Sequence, residues 1–88
     1  MLCKGFTIVN RLGLHARAAA QLVQVAGRYS SEIMLKKEDV EVNGKSIMGI
    51  LLLAAPKGTA ISVTIDGDDE AEAMEAVADL IEAGFGED

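Results

Sequence analysis

The sequence of 88 residues is poor in the residue types that build cross-links, metal sites and membrane spans. A single cysteine cannot form an internal disulfide, and one cysteine with one histidine cannot form a zinc site. We therefore expect no metal and no cofactor. Only 3% of the residues are aromatic, so the core must be aliphatic. The longest stretch without a polar side chain, Ile47 to Ala55, is far shorter than the roughly 20 residues of a membrane span.

Positive charge is also scarce. Eight Lys and Arg residues face fourteen Asp and Glu residues, and the net charge is -6. Nucleic-acid binding depends on clustered Lys and Arg, so we expect no nucleic-acid partner. No charged and then hydrophobic signal opens the sequence, which favours a cytoplasmic location without membrane attachment. Half of the residues are hydrophobic, which is enough for one modest core in a single domain, residues 1–88.

Alternation of apolar and polar residues predicts strands, and helical spacing predicts helices. We predict strands at about 4–9, 32–36, 40–43 and 59–66, and helices at about 16–26, 47–53 and 69–83. Strands with one apolar and one polar face are typical of antiparallel sheets. The predicted fold class is therefore α+β, an open-faced β-sandwich in the order β-α-β-β-α-β-α. Its four-stranded antiparallel sheet is covered on one face by helices.

The short segment after Ser46 is unusual for a helix because it lacks a polar face. Ser46 is a favourable N-cap, but every residue from Ile47 to Ala55 is apolar or glycine. A helix of two turns buries only about half of its circumference. We expect some of its apolar side chains to stay exposed and to mark an interaction site; these are Ile47, Met48, Leu51 and Leu52. The alternative is a fully buried segment.

His15 is the only histidine and lies where a loop meets the first predicted helix. Its imidazole is largely neutral and nucleophilic near neutral pH, since the ordinary pKa of histidine is about 6.5. A phosphoryl group on this ring would lie at a helix N-terminus, which favours anions. Arg17, two residues later, can offer a bidentate guanidinium to the same oxygens. The alternative is a surface histidine beside an unrelated solvated arginine.

A second motif, Gly44-Lys45-Ser46, resembles the end of a nucleotide-binding P-loop. The full pattern requires a glycine at the position of Asp39, and the motif follows a hairpin strand without a βαβ unit. Nucleotide binding is therefore disfavoured. Ser46 is then either a plain helix N-cap or a phosphorylation site, because phosphate at a helix N-terminus is electrostatically favourable.

Two motifs together, Leu12-Gly13-Leu14-His15-Ala16-Arg17 and Asn43-Gly44-Lys45-Ser46-Ile47-Met48-Gly49-Ile50-Leu51, resemble the HPr family. These are phosphocarriers of the phosphoenolpyruvate:sugar phosphotransferase system, and the resemblance covers essentially the whole chain. It implies that His15 accepts phosphate through Nδ1 from phosphorylated enzyme I and passes it to sugar-specific IIA components. Such a carrier is a substrate of other enzymes and has no turnover of its own.

The resemblance also implies roles for residues around His15. Arg17 would attend the phosphoryl group, and Ser46 would be a regulatory site for a dedicated kinase and phosphorylase. The shared docking face would comprise Ala16, Ala20 and Gln24 with Ile47, Met48 and Leu51. We expect the carrier to be a monomer.

One residue departs from the family pattern. The family usually has proline after the arginine, and here the residue is Ala18. Proline fixes φ in the first helical turn, so Ala18 is expected to lower stability by up to about 1 kcal/mol without removing activity.

Two functions remain as alternatives to a phosphocarrier. One is a regulatory interaction module of a nitrogen-type relay, acting through Ser46 and the apolar patch, and the other is a small-molecule-binding domain.

Overall fold

A computed structural model describes residues 1–87 of the chain. It contains four strands, three α-helices and a final 3-10 turn. In chain order these are β1 (Leu2–Thr7), α1 (Ala16–Ala26), β2 (Glu32–Lys37), β3 (Val40–Asn43), α2 (Ile47–Leu52), β4 (Ala60–Asp66), α3 (Glu70–Glu82) and the turn Gly84–Gly86.

The four strands form one sheet in the order β1-β4-β2-β3, and every neighbouring pair is antiparallel. Alternate side chains of the central strands are fully or almost fully buried on the face that the helices cover; these are Ile33, Leu35, Ile61, Val63 and Ile65. Apolar side chains of α1 and α3 complete this core, with Leu22 and Val77 fully buried. The predicted open-faced α+β sandwich is confirmed.

Helix α1 has the predicted bounds because its sequence supplies both a continuous apolar stripe and a stop. Ala19, Leu22 and Ala26 are fully buried, whereas Arg17 and Gln24 are exposed. Gly27 is the C-cap, and its N–H donates to the Val23 carbonyl. The helix therefore presents its N-terminal end, with the preceding loop, at one end of the sheet.

Five of the predicted elements differ from the observed ones at one or both ends. Strand β2 extends one residue further, to Lys37, helix α2 ends one residue earlier, at Leu52, and strand β4 begins one residue later, at Ala60. Strand β1 covers Leu2–Thr7, whereas the alternation of apolar residues predicted residues 4–9. Alternation reports burial, and burial continues beyond the strand, since Ile8 is fully buried. Helix α3 is one residue shorter at each end than predicted because Asp69 and Ala83 are its caps.

Helix α2 leaves much of its apolar surface exposed, as predicted. Met48 and Leu52 are 75% and 74% exposed, and Ile47 and Leu51 are 42% and 40% exposed. Only Ile50 of this helix is buried. The alternative of a fully buried segment is therefore wrong.

None of the helices formed by residues 1–87 is long and apolar enough to cross a bilayer.

Candidate functional site

His15 is the N-cap residue of α1. Its backbone is extended (φ -78°, ψ -179°), and its carbonyl accepts the Ala19 N–H at 2.8 Å. The side chain folds back over the helix end, where Nδ1 accepts the Arg17 backbone N–H at 3.3 Å. This side chain is 29% exposed, so the ring is accessible from solvent while its two nitrogens are engaged.

The loop before His15 is pressed against the segment that follows α2. The Leu14 N–H donates to the Ala55 carbonyl at 2.9 Å. Gly13 has φ +67°, and a Cβ atom there would overlap the Ala55 carbonyl oxygen and lie 2.7 Å from Pro56 Cα. Glycine is required at this position both by the left-handed backbone and by the close approach of the two segments.

Asn10 ties the start of this loop to the end of the chain. The side chain is only 4% exposed, and its Nδ2 donates to the Gly13 carbonyl at 2.7 Å and to Glu87 Oε2 at 3.0 Å. Its Oδ1 is buried without a hydrogen-bond partner among residues 1–87. Asn10 therefore acts as a donor that holds together two parts of the chain 77 residues apart.

Glu87 completes the surroundings of His15. One carboxylate oxygen accepts the Leu12 N–H at 2.9 Å, and the other lies 3.0 Å from His15 Nε2. The hydrogen bond from Asn10 and the one from Leu12 lower the pKa of Glu87 to about 2. Sequence reasoning missed both Asn10 and Glu87. The only signal for them was a turn-forming Gly-Phe-Gly sequence directly before Glu87.

Arg17 lies next to His15 with its side chain exposed. Both residues line a cleft of about 150 Å³, which Gln21 and Phe85 also line. Within residues 1–87 the Arg17 guanidinium makes no ion pair, so it is available to an incoming anion. Ala18, at the usual proline position, is fully buried and also lines this cleft.

The predicted docking residues lie on two helices that pack against each other. On α1, Ala16 and Gln24 are exposed and Ala20 is half-buried. On α2, the exposed members are Ile47, Met48 and Leu51. Two further apolar side chains, Leu52 and Leu12, are 74% and 57% exposed. Leu12 belongs to the loop that carries His15 and was not predicted as a docking residue.

Ser46 is the N-cap of α2, and its Oγ accepts the Gly49 N–H at 3.0 Å. The opposite end of this helix is held by Lys37, whose Nζ donates to the Leu53 and Ala54 carbonyls at 3.0 Å each. The Lys45 ammonium donates to the Tyr29 carbonyl at 2.7 Å. The ammonium is therefore engaged in a contact within the fold.

The described part of the chain contains no group of three or more His, Cys, Asp or Glu residues close enough to hold a metal ion.

Comparisons with known proteins agree with this geometry. A family model described as PTS HPr component phosphorylation site matches residues 2–83. The phosphocarrier protein HPr of Neisseria meningitidis is 54% identical over 87 residues, which are 99% of this chain and 98% of that protein. The HPr of Xylella fastidiosa (strain Temecula1) is 52% identical over 88 residues, with 100% and 99% coverage.

Among solved structures, HPr-C-His from Thermoanaerobacter tengcongensis superposes with a TM-score of 0.96 at 46% identity, covering 100% of this chain and 99% of that one. The relatives match along their full length at about half identity, and the family model matches residues 2–83. Both findings identify the same protein family. The chain belongs to the HPr family of phosphocarrier proteins of the phosphotransferase system.

Proposed function

We propose that His15 accepts a phosphoryl group on Nδ1 from phosphorylated enzyme I and passes it to IIA components. The observation that carries this proposal is the position of the ring. His15 is the only histidine, it caps α1, and its Nδ1 faces the Arg17 N–H at 3.3 Å. A phosphoryl group on Nδ1 would therefore lie against the positive end of the helix.

The environment of Nδ1 supplies positive potential without a metal ion. The first backbone N–H groups of α1 have no partner within the helix and can donate to phosphoryl oxygens. The exposed Arg17 guanidinium adds a planar fork of donors that matches two of these oxygens. We expect these contacts to stabilise the group on His15 until it is passed on.

Docking is assigned to the apolar surface of α2 and the adjoining face of α1. Exposed apolar side chains in a cluster mark interaction sites, and Met48 and Leu52 are the most exposed members of this one. Enzyme I and the IIA components would use this surface in turn, so it must be free between encounters. The proposal also includes a monomeric carrier that acts in the cytoplasm and has no turnover of its own.

Ser46 is proposed as the regulatory site. Its Oγ accepts a helix N–H at the edge of the docking surface, next to Ile47. A phosphate there would place charge beside apolar side chains that a partner must bury, and burying an unpaired charge is costly. A kinase and phosphorylase acting on Ser46 would thereby weaken docking without altering His15.

The test is incubation with enzyme I and phosphoenolpyruvate, followed by intact-mass analysis before and after mild acid. We expect the parent to gain one phosphoryl group that acid removes, because phosphohistidine is acid-labile. The matched control is His15→Asn, which retains an N-cap oxygen but removes the nucleophile. Acid-labile label on folded His15→Asn would refute the carrier proposal. No label from enzyme I, together with acid-stable label when a serine kinase and ATP are supplied, would favour a regulatory module that acts through Ser46.

A further inference from the structure

The imidazole of His15 lies between two hydrogen-bonding groups of opposite kind. The Arg17 backbone N–H can only donate, so Nδ1 must present its lone pair to it. The Glu87 carboxylate, which lies 3.0 Å from Nε2, is ionised because its pKa is about 2, so it can only accept. Nε2 must therefore carry the hydrogen. The two contacts select one tautomer of the neutral ring.

We propose that Glu87 is a positioning residue for phosphoryl transfer, holding Nε2–H so that the lone pair of Nδ1 faces the N-terminus of α1. The inference rests on the proposed function of His15 as phosphoryl acceptor. It assigns a role in the reaction to a residue that is 72 positions away from His15 in the sequence. Glu87 acts only through the ring, and it lies on the side of the imidazole opposite the attacking nitrogen.

The chain is built to bring Glu87 to this position. After α3 the backbone turns back through three left-handed residues, Gly84 (φ +64°), Phe85 (φ +57°) and Gly86 (φ +71°). The Phe85 side chain is 4% exposed and anchors the turn in the core. The Glu87 N–H then donates to the Gly84 carbonyl at 3.0 Å. A non-glycine residue persists in the left-handed region only where its surroundings fix it, as the buried Phe85 ring does here.

The Glu87 carboxylate itself is held before it reaches the ring. The Asn10 amide and the Leu12 N–H fix its two oxygens at 3.0 and 2.9 Å. A carboxylate oriented in this way holds the imidazole in one orientation, as the acid does in nucleophile–base–acid arrangements generally. Pre-orientation of the attacking atom removes part of the entropic cost of reaching the transition state.

A carboxylate at this place also suits the charge balance of the transfer. The Nδ1 lone pair forms the N–P bond, while the bond from phosphorus to the donor atom breaks and the donor keeps that electron pair. No proton leaves, so the ring retains Nε2–H and gains one positive charge. The Glu87 carboxylate faces that charge at Nε2. In the onward transfer the N–P bond breaks, its electrons return to Nδ1, and the ring is neutral again.

The first test measures the tautomer in the unphosphorylated protein and needs no partner. Two-bond ¹H–¹⁵N correlation spectra of His15 at a pH where the ring is neutral should show hydrogen on Nε2 in the parent. In Glu87→Gln the side-chain amide can donate to Nε2 as readily as accept from it, so we expect a clear decrease in the Nε2–H population. Glu75→Gln, on the exposed face of α3, is the matched control for the lost charge.

The second test measures steady-state phosphorylation of the same variants by enzyme I. We expect Glu87→Gln to lower kcat at least about 10-fold with KM for the carrier unchanged, because the attacking nitrogen is oriented for transfer less often. A purely structural role would leave the tautomer ratio unchanged and would raise KM through a displaced loop.

An unchanged tautomer population in Glu87→Gln, or a kcat equal to that of Glu75→Gln, overturns the proposal. If the parent itself takes no phosphoryl group, the proposed function is refuted, and the tautomer measurement still decides whether Glu87 orients the ring.

Discussion

Replacing Gly13 by alanine should destabilise the protein and displace the loop that carries His15. Alanine at φ +67° costs about 1–2 kcal/mol because its Cβ crowds the following carbonyl. The added Cβ would also overlap the Ala55 carbonyl oxygen, so the two segments must separate and the 2.9 Å bond from Leu14 N–H to that oxygen must lengthen or break. A buried donor left without a partner costs about 1–3 kcal/mol. We therefore expect a total loss of about 2–5 kcal/mol.

A second glycine separates backbone strain from steric overlap. Gly58 has φ +90°, and a Cβ there would meet no atom within 4 Å, so Gly58→Ala carries strain alone. Urea unfolding followed by circular dichroism gives both free energies of unfolding, provided that the denaturant slopes agree. We expect Gly13→Ala to be the less stable by at least about 1 kcal/mol. Equal stability of the two variants would show that the contact between Gly13 and Ala55 does not constrain the loop.

Three further variants probe separate parts of the molecule. Ser46→Asp keeps an N-cap and adds charge at the positive end of α2, which should raise stability by about 0.3–1 kcal/mol at low salt. It should nevertheless slow phosphorylation by enzyme I, and a rate equal to the parent's would exclude Ser46 from the docking surface. Arg17→Lys should lower the transfer rate with little change in Tm, because an ammonium lacks the planar fork; unchanged kinetics would count against a bidentate contact. Asp69 accepts hydrogen bonds from Ser31 and Ser30, which lower its pKa from 3.8 to about 2, so its contribution to stability is present above pH 4 and is lost as the pH falls toward 2. Asp69→Asn should therefore be less stable at pH 7 and should show a flatter pH dependence between pH 4 and 2; parallel stability curves would refute this.

Much of the fold could be predicted from local patterns because those patterns have a direct physical cause. The alternation from Ala60 to Asp66 reflects a sheet with one buried face, and the structure has a strand over those residues. The excess of apolar residues after Ser46 indicated an exposed cluster, since a short helix cannot bury its whole circumference. In each case the information lies within a few consecutive residues.

The surroundings of His15 could be predicted only in part, because contacts between distant residues build them. His15 and Arg17 are two residues apart, so their proximity could be read directly from the sequence. Glu87 is 72 residues from His15, and no periodicity relates the two. Asn10 lies in the loop predicted between residues 9 and 16, and asparagine is so common in turns that nothing in the sequence distinguishes it. Its amide donates to Glu87, 77 residues away, and only the folded structure shows that contact.

The short segment 53–56 follows helix α2, which we propose as the docking helix, and contacts the loop that carries His15. Lys37 holds the start of this segment through the Leu53 and Ala54 carbonyls, and the Ala55 carbonyl accepts the Leu14 N–H. Segment 53–56 is short and hydrogen-bonded at both ends. A partner bound on α2 would therefore lie at a fixed distance and orientation relative to the His15 ring. Fixed placement of the reacting groups accelerates a transfer more than it tightens binding. Weakening this link should for that reason lower the rate of phosphoryl transfer more than the affinity for the partner.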